Sequence, residues 1–298
     1  MSPQQLKNSI WLPVLLLLIA MTSIQGGAAL AKSLFPLVGA PGITALRLGL
    51  GTLILCIVFK PWRLRFQRSQ ILPLIIYGLS LGGMNYLFYL SIRTVPLGIA
   101  VALEFTGPLA LALASSRRPL DFLWVVLALL GLVFLLPLGE NVSSVDPVGA
   151  LLALGAGALW AVYIITGKRA GSQHGPATAA MGSLIGALVF VPLGITFANS
   201  GGWALSLIPI GLAIAVLSSA LPYSLEMVAL TRMPARTFGT LMSLEPAMAA
   251  ISGILFLGEV LSLVQWLALL AIIVASAGST MTLRPAKAKI VPVNENRE

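Results

Sequence analysis

Residues 97–138 read LGIAVALEFTGPLALALASSRRPLDFLWVVLALLGLVFLLPL. Two apolar runs, 97–115 and 120–138, are parted by Arg117-Arg118-Pro119, and the first run holds one ionisable residue, Glu104. A run of about 20 apolar residues crosses a bilayer core of roughly 30 Å as a helix. The pair therefore predicts two transmembrane helices joined by a short basic turn. The same pattern recurs at 10–31, 41–59, 72–92, 148–166, 177–197, 206–230, 237–257 and 263–283, giving ten spans. Ten spans consume roughly 200 residues, so every connection is short. The breaks fall at Lys60-Pro61-Trp62-Arg63, Arg117-Arg118-Pro119, Gly167-Lys168-Arg169 and Arg232-Met233-Pro234, where Pro, Gly and charge interrupt the apolar runs.

Composition agrees. Of 298 residues, 58% are hydrophobic and 9% charged, and mean hydropathy is +0.99. Soluble domains carry about a quarter charged residues, so a water-soluble globule is excluded and disorder with it. One cysteine cannot make a disulfide scaffold. The expected fold class is all-α: a polytopic membrane protein of ten transmembrane helices.

The formal charge of +9 implies no nucleic-acid partner, because the basic residues form no face or stripe. They sit between spans and predict topology. With the amino terminus inside, Lys7, Lys60, Arg63, Arg65, Arg68, Arg117, Arg118, Lys168, Arg169, Arg232, Arg236, Arg284, Lys287, Lys289 and Arg297 all lie on the cytoplasmic side. Only Lys32, Arg47 and Arg93 fall outside or within a span, and the outer loops carry Glu140, Asp146 and Glu259. Both termini are expected to be cytoplasmic. Lys7, an apolar stretch and Ala29-Leu30-Ala31 also outline a signal peptide, but the run is long for one and cleavage would upset the charge asymmetry. Cys56 reads as a small apolar filler, and His174, alone in the basic loop 167–176, as a solvated loop residue.

Sliding the chain on itself by 138 residues brings Pro96 onto Pro234, Pro108 onto Pro246 and Ala112 onto Ala250; near an offset of 136, Lys32 meets Lys168. Two halves follow, residues 1–139 and 140–284, with a polar, disordered cytoplasmic tail at 285–298. Each half holds five spans, so the second enters from the opposite face and the repeat is inverted. Alternating access uses such symmetry, with a site near the midplane between the halves. Gly78-Leu79-Ser80-Leu81-Gly82 and Gly182-Ser183-Leu184-Ile185-Gly186 are GxxxG patterns that permit close helix approach. Packing within one chain explains them, with a homodimer as the alternative to a monomer.

Longer motifs add a family. Ile24-Gln25-Gly26-Gly27, LAKSLFPLVGAPG (30–42), KPWRLRF (60–66), YGLSLGGMNYLFYLSI (77–92), VPLGIAVALEFTGPL (95–109), HGPAT (174–178), LPYSLEM (221–227), and RTFGTLMS (236–243) with Glu245-Pro246 span nearly the whole chain. In these runs the sequence resembles the EamA-type transporters of the drug/metabolite transporter superfamily. The resemblance implies ten helices in two inverted halves, a bacterial inner-membrane location, and export of small amino acids such as threonine and homoserine. One departure stands out: the second half has the family's Gly-Glu as Gly258-Glu259, whereas the first has Ser115-Ser116-Arg117-Arg118.

No Walker loop, HExxH or metal-ligand cluster occurs, so no enzyme, cofactor or metal is expected, and active transport must draw on an ion gradient. Ionisable groups inside a membrane are costly and mark function. Arg47, Glu104, Glu226 and Glu245 lie within spans. Counting at 1.5 Å per residue, Arg47, Asn85 and Glu104 each sit roughly 9–10 Å from the outer side and Glu245 roughly 12 Å from the inner. Glu226, nearer the cytoplasm, reads as interfacial. Pro108 cannot donate to the carbonyl of Glu104, nor Pro246 to that of Met242. Broken turns of this kind are tolerated where protein or a wet cavity satisfies them, so spans 4 and 9 are expected to line a cavity.

The amino-acid cargo implied by the resemblance carries an ammonium and a carboxylate. Glu104 is expected to hold the first; Arg47 or a half-helix amino terminus suits the second. Gln25, Asn85, Tyr86, Tyr89, Trp160, Tyr163 and Tyr223 are candidates to frame the side chain. Each aromatic has a plainer reading as packing or interfacial belt, and Arg47–Glu104 as a static ion pair. A carboxylate that takes either a proton or the ammonium couples the two, with Glu104 first and Glu245 second. The expected function is proton antiport of small amino acids, with membrane lipid as the other partner; alternatives are another metabolite or drug as cargo, or a passive facilitator.

Overall fold

Hydrocarbon offers no water to unpaired backbone groups, so each apolar run closes its own hydrogen bonds as a helix. The computed structural model of the chain describes residues 11–32, 34–65, 67–95, 97–115, 119–135, 146–172, 174–199, 207–257 and 263–281. They form α1 (Trp11–Lys32), α2 (Phe35–Phe59), α3 (Arg68–Ser91), α4 (Leu97–Ser115), α5 (Pro119–Leu135), α6 (Pro147–Ala170), α7 (Pro176–Thr196), α8 (Ile208–Arg232), α9 in two segments (Ala235–Leu241 and Leu244–Leu257) and α10 (Leu263–Met281). No strand occurs among the described residues. The protein is thus an all-α, polytopic membrane protein, and α1, α2, α3, α6, α7 and α8 are each long and apolar enough to cross a bilayer. Lys7, Pro96, Arg117, Arg118, the 139/140 boundary, Glu140, Gly258-Glu259 and the tail from Arg284 lie outside the described residues.

Lipid inverts the usual pattern of burial. Leu151, Leu188, Leu255 and Leu263 are exposed, whereas Arg47, Glu226 and Glu245 are buried. Apolar side chains face outward because the surrounding solvent is apolar too.

The helix contacts recur in pattern: α3 lies on α6 as α8 lies on α1, α3 on α7 as α8 on α2, and α4 on α6 as α9 on α1; α2 packs with α7, α4 with α9 and α5 with α10. Positive-φ glycines open corresponding helices: Gly39 (φ 74°) near the start of α2 and Gly175 (φ 52°) just before α7. These two are separated by the same 136 residues as Lys32 and Lys168. At Gly39 the helical dihedrals fail just before Pro41, a conformation that only glycine adopts cheaply.

The two GxxxG patterns meet each other. A Cβ on Gly78 would sit 2.6 Å from the Gly182 carbonyl oxygen, and one on Gly186 2.7 Å from the Gly78 carbonyl oxygen. Small residues here bring α3 and α7 into backbone contact within one chain. Asp146 caps α6: its carboxylate accepts from Thr94 Oγ1 at 2.8 Å and from the Gly149 amide at 2.9 Å. The Thr94 hydroxyl first, then the amides, hold this carboxyl below the usual carboxylate range. His174 is half-buried and its Nε2 lies 3.2 Å from the Arg65 carbonyl oxygen, so the loop residue of the sequence reading ties two connections together.

Candidate functional site

The polar positions of the spans converge on one cavity. α1 contributes Gln25, α2 Arg47, α3 Asn85 and Tyr89, α4 Glu104, α6 Trp160, α8 Tyr223 and Glu226, and α9 Glu245.

Arg47 is 6% exposed, and its seat is built by a defect in α8. Residues Val216–Ala220 form a π turn in which the Leu221 amide bonds the Val216 carbonyl, so Leu217 loses its α-helical donor. Ser23 Oγ donates to that Leu217 carbonyl at 2.6 Å. One residue on, Pro222 has no N–H for the Ser218 carbonyl, and Arg47 Nη2 donates there at 2.6 Å. Nη2 also lies 3.3 Å from Tyr223 Oη, Nε 3.3 Å from Ser219 Oγ, and the guanidinium 5.0 Å from the centre of the Tyr89 ring. A Cβ on Gly27 or Gly51 would meet the Ser218 or Ser219 Cβ at 2.7 Å, so these glycines let α1 and α2 close on the defect. Nη1 carries no hydrogen bond among the described residues.

Glu104 and Arg47 form no ion pair among the described residues, and the static-pair reading is set aside. No described group donates to the Glu104 carboxylate. The carbonyl freed by Pro108 does not face the cavity: it occupies the space that a Cβ on Gly157 of α6 would fill. The sequence reading is corrected there, because close packing on a glycine absorbs the broken turn while the side chain lines the cavity.

In α9 the same proline has another effect. The Met242 carbonyl, denied a donor by Pro246, accepts from the Glu245 amide at 2.8 Å, and the span parts between Leu241 and Leu244. Glu245 thereby stands in the first turn of a half-helix. Gln25 Nε2 donates to its Oε1 at 2.9 Å, while Oε2 is buried without a partner among the described residues.

Two expectations miss the wall. Tyr86 leaves it to lie against Phe190 of α7, ring centres 5.7 Å apart, and Tyr163 stands one layer back, stacked on Tyr77 at 5.1 Å. Conversely, Glu226 is no interfacial residue: it is 2% exposed, lines the cavity, and accepts from Tyr163 Oη at 3.0 Å. Its spacing from Pro222, one turn along the same helix face, was the available signal.

Comparison with known proteins now bears on this geometry. The threonine/homoserine exporter RhtA of Salmonella typhimurium strain LT2 is 73% identical over 278 residues, 93% of this chain and 94% of that protein. Its counterpart in Escherichia coli K12 is 70% identical over 289 residues, 97% of this chain and 98% of that one. The EamA-like transporter family matches residues 147–281. The chain belongs to the EamA-like transporter family.

That family match runs from the first residue of α6 to the last of α10. A solved crystal structure superposes with TM-score 0.75 at 19% identity, over 90% of this chain and 96% of the other, a likeness of fold alone. In this EamA-like chain both five-helix sets supply the wall, with Gln25, Arg47, Asn85 and Glu104 from one and Trp160, Tyr223, Glu226 and Glu245 from the other.

Proposed function

We propose that the protein is a secondary exporter of small neutral amino acids, threonine and homoserine foremost, across the bacterial inner membrane by proton antiport with alternating access. The observation that carries this reading is the charge set of the cavity: one anchored guanidinium and three carboxylates, with Gln25, Asn85 and otherwise apolar and aromatic groups around them. An amino acid needs a cation for one end and an anion for the other. The names of the relatives, exporters of threonine and homoserine, support that cargo.

Arg47 receives the α-carboxylate through Nη1 while its remaining donors stay tied to α8. Glu104, with no competing donor among the described residues, receives the α-ammonium. It holds that ammonium or a proton, and never comfortably both, so each substrate released leaves a carboxylate that a proton neutralises. Residues 1–139 and 140–284 act as the two moving halves, the helices of one turning against those of the other. Both termini face the cytoplasm, following the distribution of Lys and Arg between spans.

The test is transport in proteoliposomes under an imposed pH gradient, with labelled threonine, homoserine and a large aromatic amino acid. Threonine and homoserine should move against their gradients as protons move down theirs, and Glu104→Gln should uncouple the two. Full gradient-driven efflux by Glu104→Gln would refute the assignment. Exchange indifferent to the pH gradient would make the protein a facilitator, and no movement of any amino acid would assign it another cargo.

A further inference from the structure

The carboxylates of the cavity are not equivalent. Glu226 already accepts from the Tyr163 hydroxyl. Glu245, 5% exposed and lining the cavity, accepts on Oε1 from a Gln25 that is itself buried, and its buried Oε2 has no donor among the described residues. A buried acceptor left unmade is costly, and the cost vanishes when a ligand brings the missing donor.

We propose that the Gln25–Glu245 pair is the subsite for a substrate's side-chain hydroxyl, and that it selects hydroxylated amino acids over their apolar isosteres. The inference rests on the amino-acid reading above and names the part of the substrate this corner of the site takes. Arg47 and Glu104 stand on α2 and α4, and the pair on α1 and α9 lines the same cavity, where it is left for the side chain. Threonine and homoserine both end in an O–H. Valine has the shape of threonine with a methyl group in place of the hydroxyl, and cannot donate. A site that hydrogen-bonds a substrate hydroxyl rejects the analogue lacking it far more strongly than an apolar pocket can by shape.

The pair is rigid enough for the task. Glu245 is fixed at the break of α9 by its own amide on the Met242 carbonyl, and Gln25 uses its amide nitrogen on Glu245. Gln25 Oε1, and Glu245 Oε2 when that carboxyl is ionised, are acceptors, so in that state the subsite asks for a donor and not merely for an oxygen atom.

The experiment is counterflow by the full chain in proteoliposomes, reading kcat/KM for threonine, valine and O-methylthreonine. Wild type should favour threonine over valine by at least about tenfold, as the cost of leaving a buried acceptor unsatisfied implies, and O-methylthreonine should fall with valine. Glu245→Met should cut the threonine-to-valine ratio about tenfold or more, Gln25→Leu should lower it in the same direction, and Glu104→Gln should depress both substrates together with the ratio kept. O-methylthreonine handled as well as threonine, or an unchanged ratio in Glu245→Met, would overturn the subsite while leaving amino-acid transport standing. Should Glu245→Met move neither substrate, the wild-type comparison with O-methylthreonine decides alone. Wild-type vesicles that exchange no amino acid would bring down both this inference and the function beneath it.

Discussion

Arg47 Nη2 lies 2.6 Å from the Ser218 carbonyl oxygen, the one carbonyl of α8 that Pro222 leaves without its helical donor. A charged side chain in the membrane is expensive, and here a proline prepares its partner in advance. Lysine keeps the charge but cannot reach Ser218, Ser219 and Tyr223 at once. Arg47→Lys is therefore expected to raise the KM for threonine at least about tenfold in counterflow, with folding intact. Pro222→Ala returns an N–H that competes for the Ser218 carbonyl. It should raise the thermal midpoint in detergent while slowing transport, and a midpoint unchanged or lowered would count against the defect as Arg47's seat.

Tyr163→Phe removes the only described donor to Glu226 Oε2. A buried acceptor stranded in this way costs about 1–3 kcal/mol, readable as a drop in unfolding free energy in mixed micelles. Pairing it with Glu226→Leu removes both partners, so the double variant should be more stable than Tyr163→Phe alone. Equal stability of the two would mean that the 3.0 Å contact contributes nothing.

At the crossing of α3 and α7, Gly186→Leu forces side-chain atoms into the Gly78 carbonyl and Gly82 backbone. Overpacking typically costs about 1–3 kcal/mol, and the variant should lose stability in detergent without dimerising. Gly26→Ala, with open space at its Cβ position, is the matched control and should behave as wild type.

Asp146 gives a pH dependence outside the membrane. Its carboxyl is held low in the folded protein by Thr94 and the α6 amides, so the folded form favours the ionised state. That contribution is complete above the ordinary aspartate value of about 4 and is lost as pH falls through the lower folded value. Thermal midpoints taken between pH 6 and pH 2 should show an acid limb that Asp146→Asn largely removes. Thr94→Val should shift that limb upward.

How far the chain could be read depends on which force does the reading. The ten spans were legible in stretches such as 97–138, and so were polar positions that line the cavity: Arg47, Glu104 and Glu245 interrupt apolar runs where any charge is conspicuous. The broken α9 was foreshadowed by Pro246. The two GxxxG patterns signalled close packing, although which helix met which waited on the fold. Tyr86 and Glu226 escaped because helices apolar all round carry no stripe that tells inside from outside. Counting residues from a span end gave Glu226 a depth and no direction. The fate of the Pro108 turn escaped too, since it depends on Gly157, fifty residues away on another helix.

Span number, length and apolar outer surface are thus properties of the linear chain, because hydrocarbon obliges every segment to satisfy its backbone within itself, one run at a time. The assembly of a guanidinium from α2 with carboxylates from α4, α8 and α9 around one cavity is not local in that sense. It arises from close crossings at glycines and from carbonyls that prolines and a π turn release to distant partners, and those partners exist only once the helices have packed.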